Sequence, residues 1–540
     1  MNVKRTCIVF VLLGLLLSPG WTLAQTDELS VIVRFKTTID AAEIMGPGIP
    51  AGLARAHLIT ALRAHSRAVQ ATALALLRSN GVKDVTELWL INGLAVTAPA
   101  SVLAQVEQLP EVESITPNVL VTPPGTSLAA TTTAEWNVGM VRAPELWGAG
   151  ITGQGAVVAV LDTGVDVNHP DLAANWRGGS NSWFDPNGQH AAPYDAAGHG
   201  TQVTGVAVGG SASGTAIGVA PGAQWIAAKI FDDGGVGTYS AIHQAFQWVL
   251  DPDGNAYTDD AADVVNNSWY IGNSNSCILE FQSDIQVLKA AGIAVVFAAG
   301  NSGPNTSTSV SPANNPDGFA VGAVDSTQNL AYFSSLGPAA CDPQSVYPEV
   351  VAPGQAVRTA DLTSGGTNPS SYITVSGTSF ASAHIAGAMA LLRSSNPTAT
   401  VAQLEQALEN SASDLGAAGP DNSYGYGLVN LVAANALLEQ APPPNSPPLA
   451  NNDAATTRKN TAVTIDVCAN DVDSDGSIDR STVTLTSAKT SKGGAVVANV
   501  NGTVTFTPKR NFRGTDTFTY TVKDNQGAVS NQATVTVTVK

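Results

Sequence analysis

From Gly377 to Gly387 the chain reads Gly-Thr-Ser-Phe-Ala-Ser-Ala-His-Ile-Ala-Gly, the opening of a helix made almost wholly of small and apolar residues. Ala381, Ile385, Ala386, Ala388, Met389 and Leu392 leave that helix no polar face, so it is predicted to be buried. The Gly-Thr-Ser start sets the Ser379 hydroxyl beside the positive N-terminal end of the helix, a favourable place for a nucleophile whose reaction creates an oxyanion. Taken alone, such a serine is an ordinary N-cap. Three other segments change that reading.

Ala156 to Leu161 is a continuous apolar run of strand length, the pattern of a strand covered on both faces. Asp162 follows it, at the carboxyl end of a predicted parallel strand, where open α/β sheets place their chemistry. His199, in Gly198-His-Gly-Thr-Gln-Val-Thr-Gly205, begins a small-residue helix. A second apolar run, Ile293 to Ala299, ends in Gly300-Asn301-Ser302-Gly303. The chain order Asp, His, Ser is that of subtilisin and differs from those of chymotrypsin and the α/β-hydrolases.

Together these segments resemble the subtilisin-like serine proteases over residues 130–435. The resemblance implies an α/β fold, a parallel sheet flanked by helices, and a serine endopeptidase acting on proteins and peptides. A serine hydroxyl reacts once an imidazole takes its proton, and a carboxylate must hold that imidazole in one tautomer. On this basis Ser379 is the nucleophile, His199 the general base and then acid, and Asp162 the orienter of His199. Asn301 matches the family's oxyanion-hole asparagine, acting with the Ser379 N–H. No cofactor is required for this chemistry. Asp-Thr-Gly also marks aspartic proteases, which use two such carboxylates, whereas this chain has a single Asp-Thr-Gly. His169 reads as a turn residue and His384 as structural; His57 and His65 fall in another unit; His190 and His243 carry no recognisable context. None of them is expected in catalysis. A rival of another class, a catalytically inactive adhesion or binding protein on the same scaffold, is disfavoured by the complete set of Asp162, His199, Asn301 and Ser379.

At 540 residues the chain suits about three units. Charged residues make up 13% and the formal net charge is −18, which argues against nucleic-acid binding. Residues 1–24 read as a secretion signal: Lys4 and Arg5, the apolar stretch Ile8 to Leu17, then Thr22-Leu23-Ala24. That stretch is short for a membrane span, and no later segment is long and apolar enough for one. A secreted, soluble monomer is expected, extracellular or in transit through a periplasm. Cys7 would leave with the signal. Cys277 and Cys341 could pair in an oxidising compartment, and Cys468 is the odd one out.

Residues 25–122 read as a small α+β unit, with a strand at Leu29–Phe35, a helix at His57–Leu77, strand material at Glu87–Thr97 interrupted by a glycine, a helix at Ser101–Leu109 and a strand at Val112–Ile115. Its order and size resemble the propeptide that precedes many subtilisin-like domains. That implies a chaperone and inhibitor whose C-terminal tail lies in the active-site cleft. Thr122 to Thr133 reads as a flexible connector, with self-cleavage expected at or just before it.

The catalytic domain is placed at 130–438. The resemblance puts one edge of the substrate cleft at Gly235, Val236 and Gly237, where missing side chains let a peptide backbone come close. It puts the other at Ser268 and Trp269, so that an extended peptide is held between them as an added strand. Val310 stands where relatives carry a glycine, which predicts a shallow pocket favouring small or medium apolar residues. Ala383 replaces a proline and Gln202 a second histidine of the family pattern. Asp171 matches a calcium ligand of some relatives, but Val208 to Ala216 lacks the asparagine-bearing loop that completes the site, so Asp171 is expected to stabilise a turn.

Residues 439–449 form a proline-rich linker. In 450–540, short runs at Ala462–Val467, Thr503–Thr507, Thr515–Val522 and Ala533–Val539 predict a small antiparallel β-sandwich, which resembles bacterial Ig-like or cadherin-like modules. Asp471 to Asp479 imitates the start of an EF-hand, but Thr482 replaces the closing acid and the segment reads as a solvated acidic turn.

Overall fold

The computed structural model describes residues 28–540 apart from 37–38, 46–50, 125–126, 129–134 and 441–444. The predicted secretion signal, most of the connector after Pro124 and the first part of the proline-rich linker lie outside the described residues. Among the described residues no helix is long and apolar enough to cross a membrane.

The centre is a seven-stranded sheet whose neighbours run, in space, Val350–Pro353, Ala320–Val324, Ala294–Ala298, Val264–Asn267, Val157–Asp162, Gln224–Lys229 and Trp183–Phe184. Every paired register in it is parallel. Alternate residues of one strand feed opposite faces: Val158 and Val160 join one apolar cluster, Ala159 and Leu161 the other. That is why the run is apolar at every position. Chain order reverses beside Val157–Asp162, so Asp162 ends a strand at the switch point, where a crevice opens above the sheet.

The helix Thr378–Ser395 lies on one face, and every residue from Thr378 to Leu392 is buried. It packs on the helix His199–Val208. A Cβ on Gly387 would stand 2.5 Å from the Ala207 carbonyl oxygen, so the two helices approach as closely as they do because that side chain is missing.

Residues 28–121 fold as a four-stranded antiparallel sheet in the order Val85–Leu88, Gly93–Pro99, Glu28–Phe35, Val112–Pro117, with helices Ala51–Ser79 and Ala100–Glu107. The long helix starts earlier than its apolar periodicity indicated. The Glu87–Thr97 run is two strands joined by a 3-10 turn at Trp89–Ile91, with Asn92 left-handed at φ 48°. The unit docks on the face opposite the Thr378–Ser395 helix: Ile32, Leu58, Ile59, Leu62 and Leu90 share one core with Phe246, Leu250 and Ile285. Arg34 pairs with Glu280 at 2.8 Å, and Leu90 N–H donates to Gln247 Oε1 at 3.0 Å.

Residues 453–539 form two facing sheets. One contains Asp453–Thr457, Ala533–Val539, Gly514–Asp524 and Ile478–Leu485; the other Val463–Asp466, Thr503–Thr507 and Ala495–Ala498. Phe506, Phe518 and Tyr520 fill the core, as expected. The expectation of a purely antiparallel sandwich is corrected: Asp453–Thr457 runs parallel to Ala533–Val539. Threonine-rich strands such as these hide half their residues in polar positions, so the first edge strand carried too little apolar signal to be seen. Cys277 and Cys341 are disulfide-bonded, and Cys468 is buried and free.

Candidate active site

Asp162 ends its strand buried, and its Oδ1 accepts from His199 Nδ1 at 2.8 Å and from Thr163 N–H at 2.7 Å. His199 starts its helix behind Gly198, in the left-handed region at φ 91°. Two glycines make this meeting possible. A Cβ on Gly200 would lie 2.0 Å from the Gly164 carbonyl oxygen, and one on Gly164 would lie 1.9 Å from that of Tyr194. Asp195 holds the start of the helix, accepting from Gly198 N–H at 2.8 Å, Thr201 N–H at 2.9 Å and Thr201 Oγ1 at 2.7 Å. Burial opposes charging of His199, but the charge and hydrogen bond of Asp162, with help from Asp195, outweigh it and raise the imidazole above its ordinary pKa. His199 Nε2 is buried and has no hydrogen-bond partner.

Ser379 sits in the first turn of the buried helix, its Oγ donating to the Ser268 carbonyl at 3.4 Å. Backbone N–H groups of a first turn have no intrahelical acceptor, which leaves the Ser379 N–H free to serve an anion. Asn301 lies beside it. Its Oδ1 accepts from the N–H and Oγ1 of Thr378, both at 2.9 Å, which fixes the amide so that Nδ2 is the end left to donate. Thr378 Oγ1 also accepts from Gly300 N–H at 3.1 Å. Thr378, Asp195 and Thr163 are positioning residues that the sequence reading passed over, because hydroxyls and turn aspartates carry no motif of their own.

Gly237 and Thr238 pair antiparallel with Val121 and Leu120, the tail of the N-terminal unit. Tyr239 N–H donates to the Val119 carbonyl at 3.1 Å, and a Cβ on Gly235 would stand 3.9 Å from Pro123. Val236 N–H donates to Asp232 Oδ1 at 2.8 Å, bracing the turn that carries this edge. On the other side of the tail lie Tyr270, Ile271, Gly272 and Asn273. Beyond it, residues 127–128 pair with Ser376 and Val375, three and four positions before Ser379.

Two expected cleft residues sit differently from the sequence reading. The Trp269 indole is fully buried against Phe281 and Phe297, on the side of the N-terminal unit, so only its backbone can border a cleft. Ser268 is also buried, with Oγ donating to the Ser379 carbonyl at 2.9 Å, so it supports the start of the Thr378–Ser395 helix. Val310 is buried, its methyls 2.9 Å from where a Cβ on Gly300 would be, at the foot of the Gly300–Asn301 turn. Asp171 accepts from Ala212 N–H at one oxygen and from the Tyr372 hydroxyl at 2.7 Å at the other. His384 is buried between Asn137 Nδ2 at 2.9 Å and the Phe380 carbonyl at 2.7 Å, and burial pushes it down to about 4, so it stays neutral.

Residues 153–427 match the subtilase family model, and 445–538 match a bacterial Ig domain. The chain belongs to the subtilase family. It shares with that family the class of serine endopeptidase. It is 37% identical to Bacillopeptidase F of Bacillus subtilis over 64% of its own length but only 26% of that protein. It is 38% identical to subtilisin NAT of Bacillus subtilis subsp. natto, covering 70% of it, and 38% identical to subtilisin of Bacillus pumilus, covering 98%.

Two expected results follow for this subtilase. With Asn301 as oxyanion donor, as the resemblance implies, Asn301→Ala should lower kcat about 10²–10³-fold with little change in KM, the range found when subtilisin loses its oxyanion-hole asparagine. Steady-state kinetics on a chromogenic peptide check it. A base must be neutral to act, so with His199 in that role, and raised, kcat/KM should climb with pH through an inflection above 6.5. The contribution of the same pair to stability runs the other way, complete below the unfolded pKa and lost as pH rises through the folded one. A pH–rate profile with its inflection below 6.5 would contradict this.

Proposed function

We propose that this chain is a secreted serine endopeptidase, made as a zymogen that cuts itself, and that it hydrolyses protein substrates through Asp162, His199 and Ser379. The observation that carries this reading is the strand pairing of Leu120–Val121 on Gly237–Thr238, a few residues before the chain reaches Ser376. A peptide of the chain itself lies where a substrate would.

In the proposed reaction Ser379 Oγ turns from the Ser268 carbonyl to His199 Nε2 and attacks the scissile carbonyl as Nε2 takes its proton. Asn301 Nδ2 and the Ser379 N–H donate to the oxyanion. His199 then passes the proton to the leaving amine, which departs and leaves an acyl-enzyme. Water, activated by the same imidazole, releases the acid. Asp162 keeps the Nδ1 proton in place throughout. Before processing, residues 25–122 act as the inhibitor of their own enzyme, and their removal opens the cleft. Val310 keeps the pocket shallow, so peptides with Ala, Leu or Met before the scissile bond should be cut faster than those with Phe or Tyr in a cleavage profile.

The test is a fluorophosphonate probe and an N-terminal sequence. Labelling of Ser379 in protein that starts after Thr122, together with an uncut Ser379→Ala variant, supports the proposal. No labelling of propeptide-free protein would favour an inactive scaffold, and a start near Gln25 in both proteins would end the self-processing reading.

A further inference from the structure

The helix Tyr239–Leu250 ends against three carboxylates that the proposed catalysis does not use. Asp251 caps it, and Asp253 and Asp260 complete a group in which one oxygen of each lies within 4.8 Å of the others. A helix C-terminus carries partial negative charge, so these carboxylates are repelled by it as well as by one another, and a cation is favoured there. Asp251 is 5% exposed and Asp260 8%, whereas Asp253 faces solvent. Asp260 Oδ2 accepts from Asn181 Nδ2 at 2.9 Å and from Asp253 N–H at 3.1 Å, but its Oδ1 is buried without a hydrogen-bond partner. Asp251 Oδ1 is buried and unpartnered in the same way. Burial holds both carboxyls above the usual range, and at Asp251 the charge of Arg63 works against that rise.

Arg63 belongs to the N-terminal unit. Its Nη2 lies 2.6 Å from Asp251 Oδ2, its Nη1 donates to the Gly254 carbonyl at 3.1 Å, and the guanidinium stacks over Trp89 at 4.6 Å. It caps the acidic group from outside. Arg177 reaches the group differently, donating to the main-chain carbonyl of Asp260 at 2.7 Å. Two guanidiniums, Arg63 on Asp251 and Arg177 near Asp260, still leave negative charge over on three carboxylates, and the orphaned oxygens of Asp251 and Asp260 are those that Arg63 does not engage.

We propose that Asp251, Asp253 and Asp260 bind a calcium ion, and that Arg63 of the docked N-terminal unit opposes its binding. The donors are hard oxygens in an irregular, partly open setting, which suits the six to eight flexible ligands of calcium better than the strict octahedron of magnesium. Once Arg63 leaves, the Gly254 carbonyl becomes available to the same ion. Release of the N-terminal unit and calcium uptake then favour each other, because coupling between two binding events is reciprocal. The competition rests on the reading of residues 25–122 as a releasable unit; the ion site does not.

The test uses full-length Ser379→Ala protein stripped with EDTA, titrated with calcium chloride by calorimetry, so neither activity nor processing enters the result. Adding Arg63→Ala should tighten calcium about 10-fold, within the ordinary range of such couplings. Adding Asp253→Asn, at an exposed position, should weaken it at least about 10-fold. Asp260→Asn should weaken it likewise, yet melt no lower than its parent in EDTA, since it relieves repulsion among the three buried or crowded carboxylates while an amide oxygen can still accept from Asn181 and Asp253. Equal affinity in all four proteins, or no binding even with Arg63→Ala, overturns the site. A site lost in Asp253→Asn but unmoved by Arg63→Ala overturns the competition alone.

Discussion

Ser379→Ala should lower kcat about 10⁶-fold, the scale of loss seen when subtilisins lose their nucleophile, and should leave the chain uncut. The size of the effect follows because the neighbouring Ser268 and Ser382 hydroxyls both face the Ser379 carbonyl rather than His199 Nε2 and cannot take the role. The fold should be nearly indifferent. The hydroxyl makes one long contact at 3.4 Å, and alanine suits a helix at this depth. Activity on a peptide substrate, with the N-terminal unit removed by an added protease, and a thermal melt together decide the point. A loss smaller than about 10²-fold at unchanged melting temperature would remove Ser379 from the mechanism.

Asp162→Asn should cost about 10⁴-fold in kcat. An amide there can turn its NH₂ toward His199 Nδ1, which selects the tautomer with its proton on Nε2, where the nucleophile's proton has to go. The carboxylate also supplies the attraction that raises His199, so the surviving activity should show its pH inflection shifted downward. Neutral asparagine removes a charge that is almost fully buried with one oxygen unpartnered, so the variant should fold. A variant that kept the inflection of the parent would show that Asp195, not Asp162, sets the imidazole's pKa.

The central sheet was readable because its strands are buried on both faces, and continuous apolar runs such as Ala156–Leu161 survive in any alphabet of side chains. That Asp162 ends a strand, His199 and Ser379 start helices and Asn301 follows a buried strand was readable, because each follows a glycine-rich or apolar signature at a fixed place in chain order. Trp269 was misjudged for a physical reason. Successive residues of an extended segment point to opposite sides, and a family position says which backbone borders a cleft without saying which way the ring turns. Thr378 was invisible because its hydrogen bonds reach Gly300 and Asn301, far away in sequence, and Asp195 because a turn aspartate that bonds Ala197, Gly198 and Thr201 carries no pattern of its own. His243 was left without context, and the structure gives it one: a fully buried ring between Asp284 at 3.0 Å and Glu280 at 3.1 Å, the same Glu280 that holds Arg34. No local pattern announces a partner about forty residues away. Asp171 was expected to stabilise a turn, and the loop after Val208 supplies a main-chain N–H to its carboxylate.

The segment that leaves the N-terminal unit is strand-paired at Val121 on the glycine-rich edge Gly237–Thr238 and again, at residues 127–128, on the strand that leads into Ser379. A bond inside so short a bridge never has to diffuse to its catalyst. On the proposed reading the first cut is therefore unimolecular, with a half-life that dilution leaves untouched, while every later cut on another protein obeys the ordinary law of mass action. One cleft would run two kinetic regimes, and the change from the first to the second is the moment at which the protein stops being its own substrate.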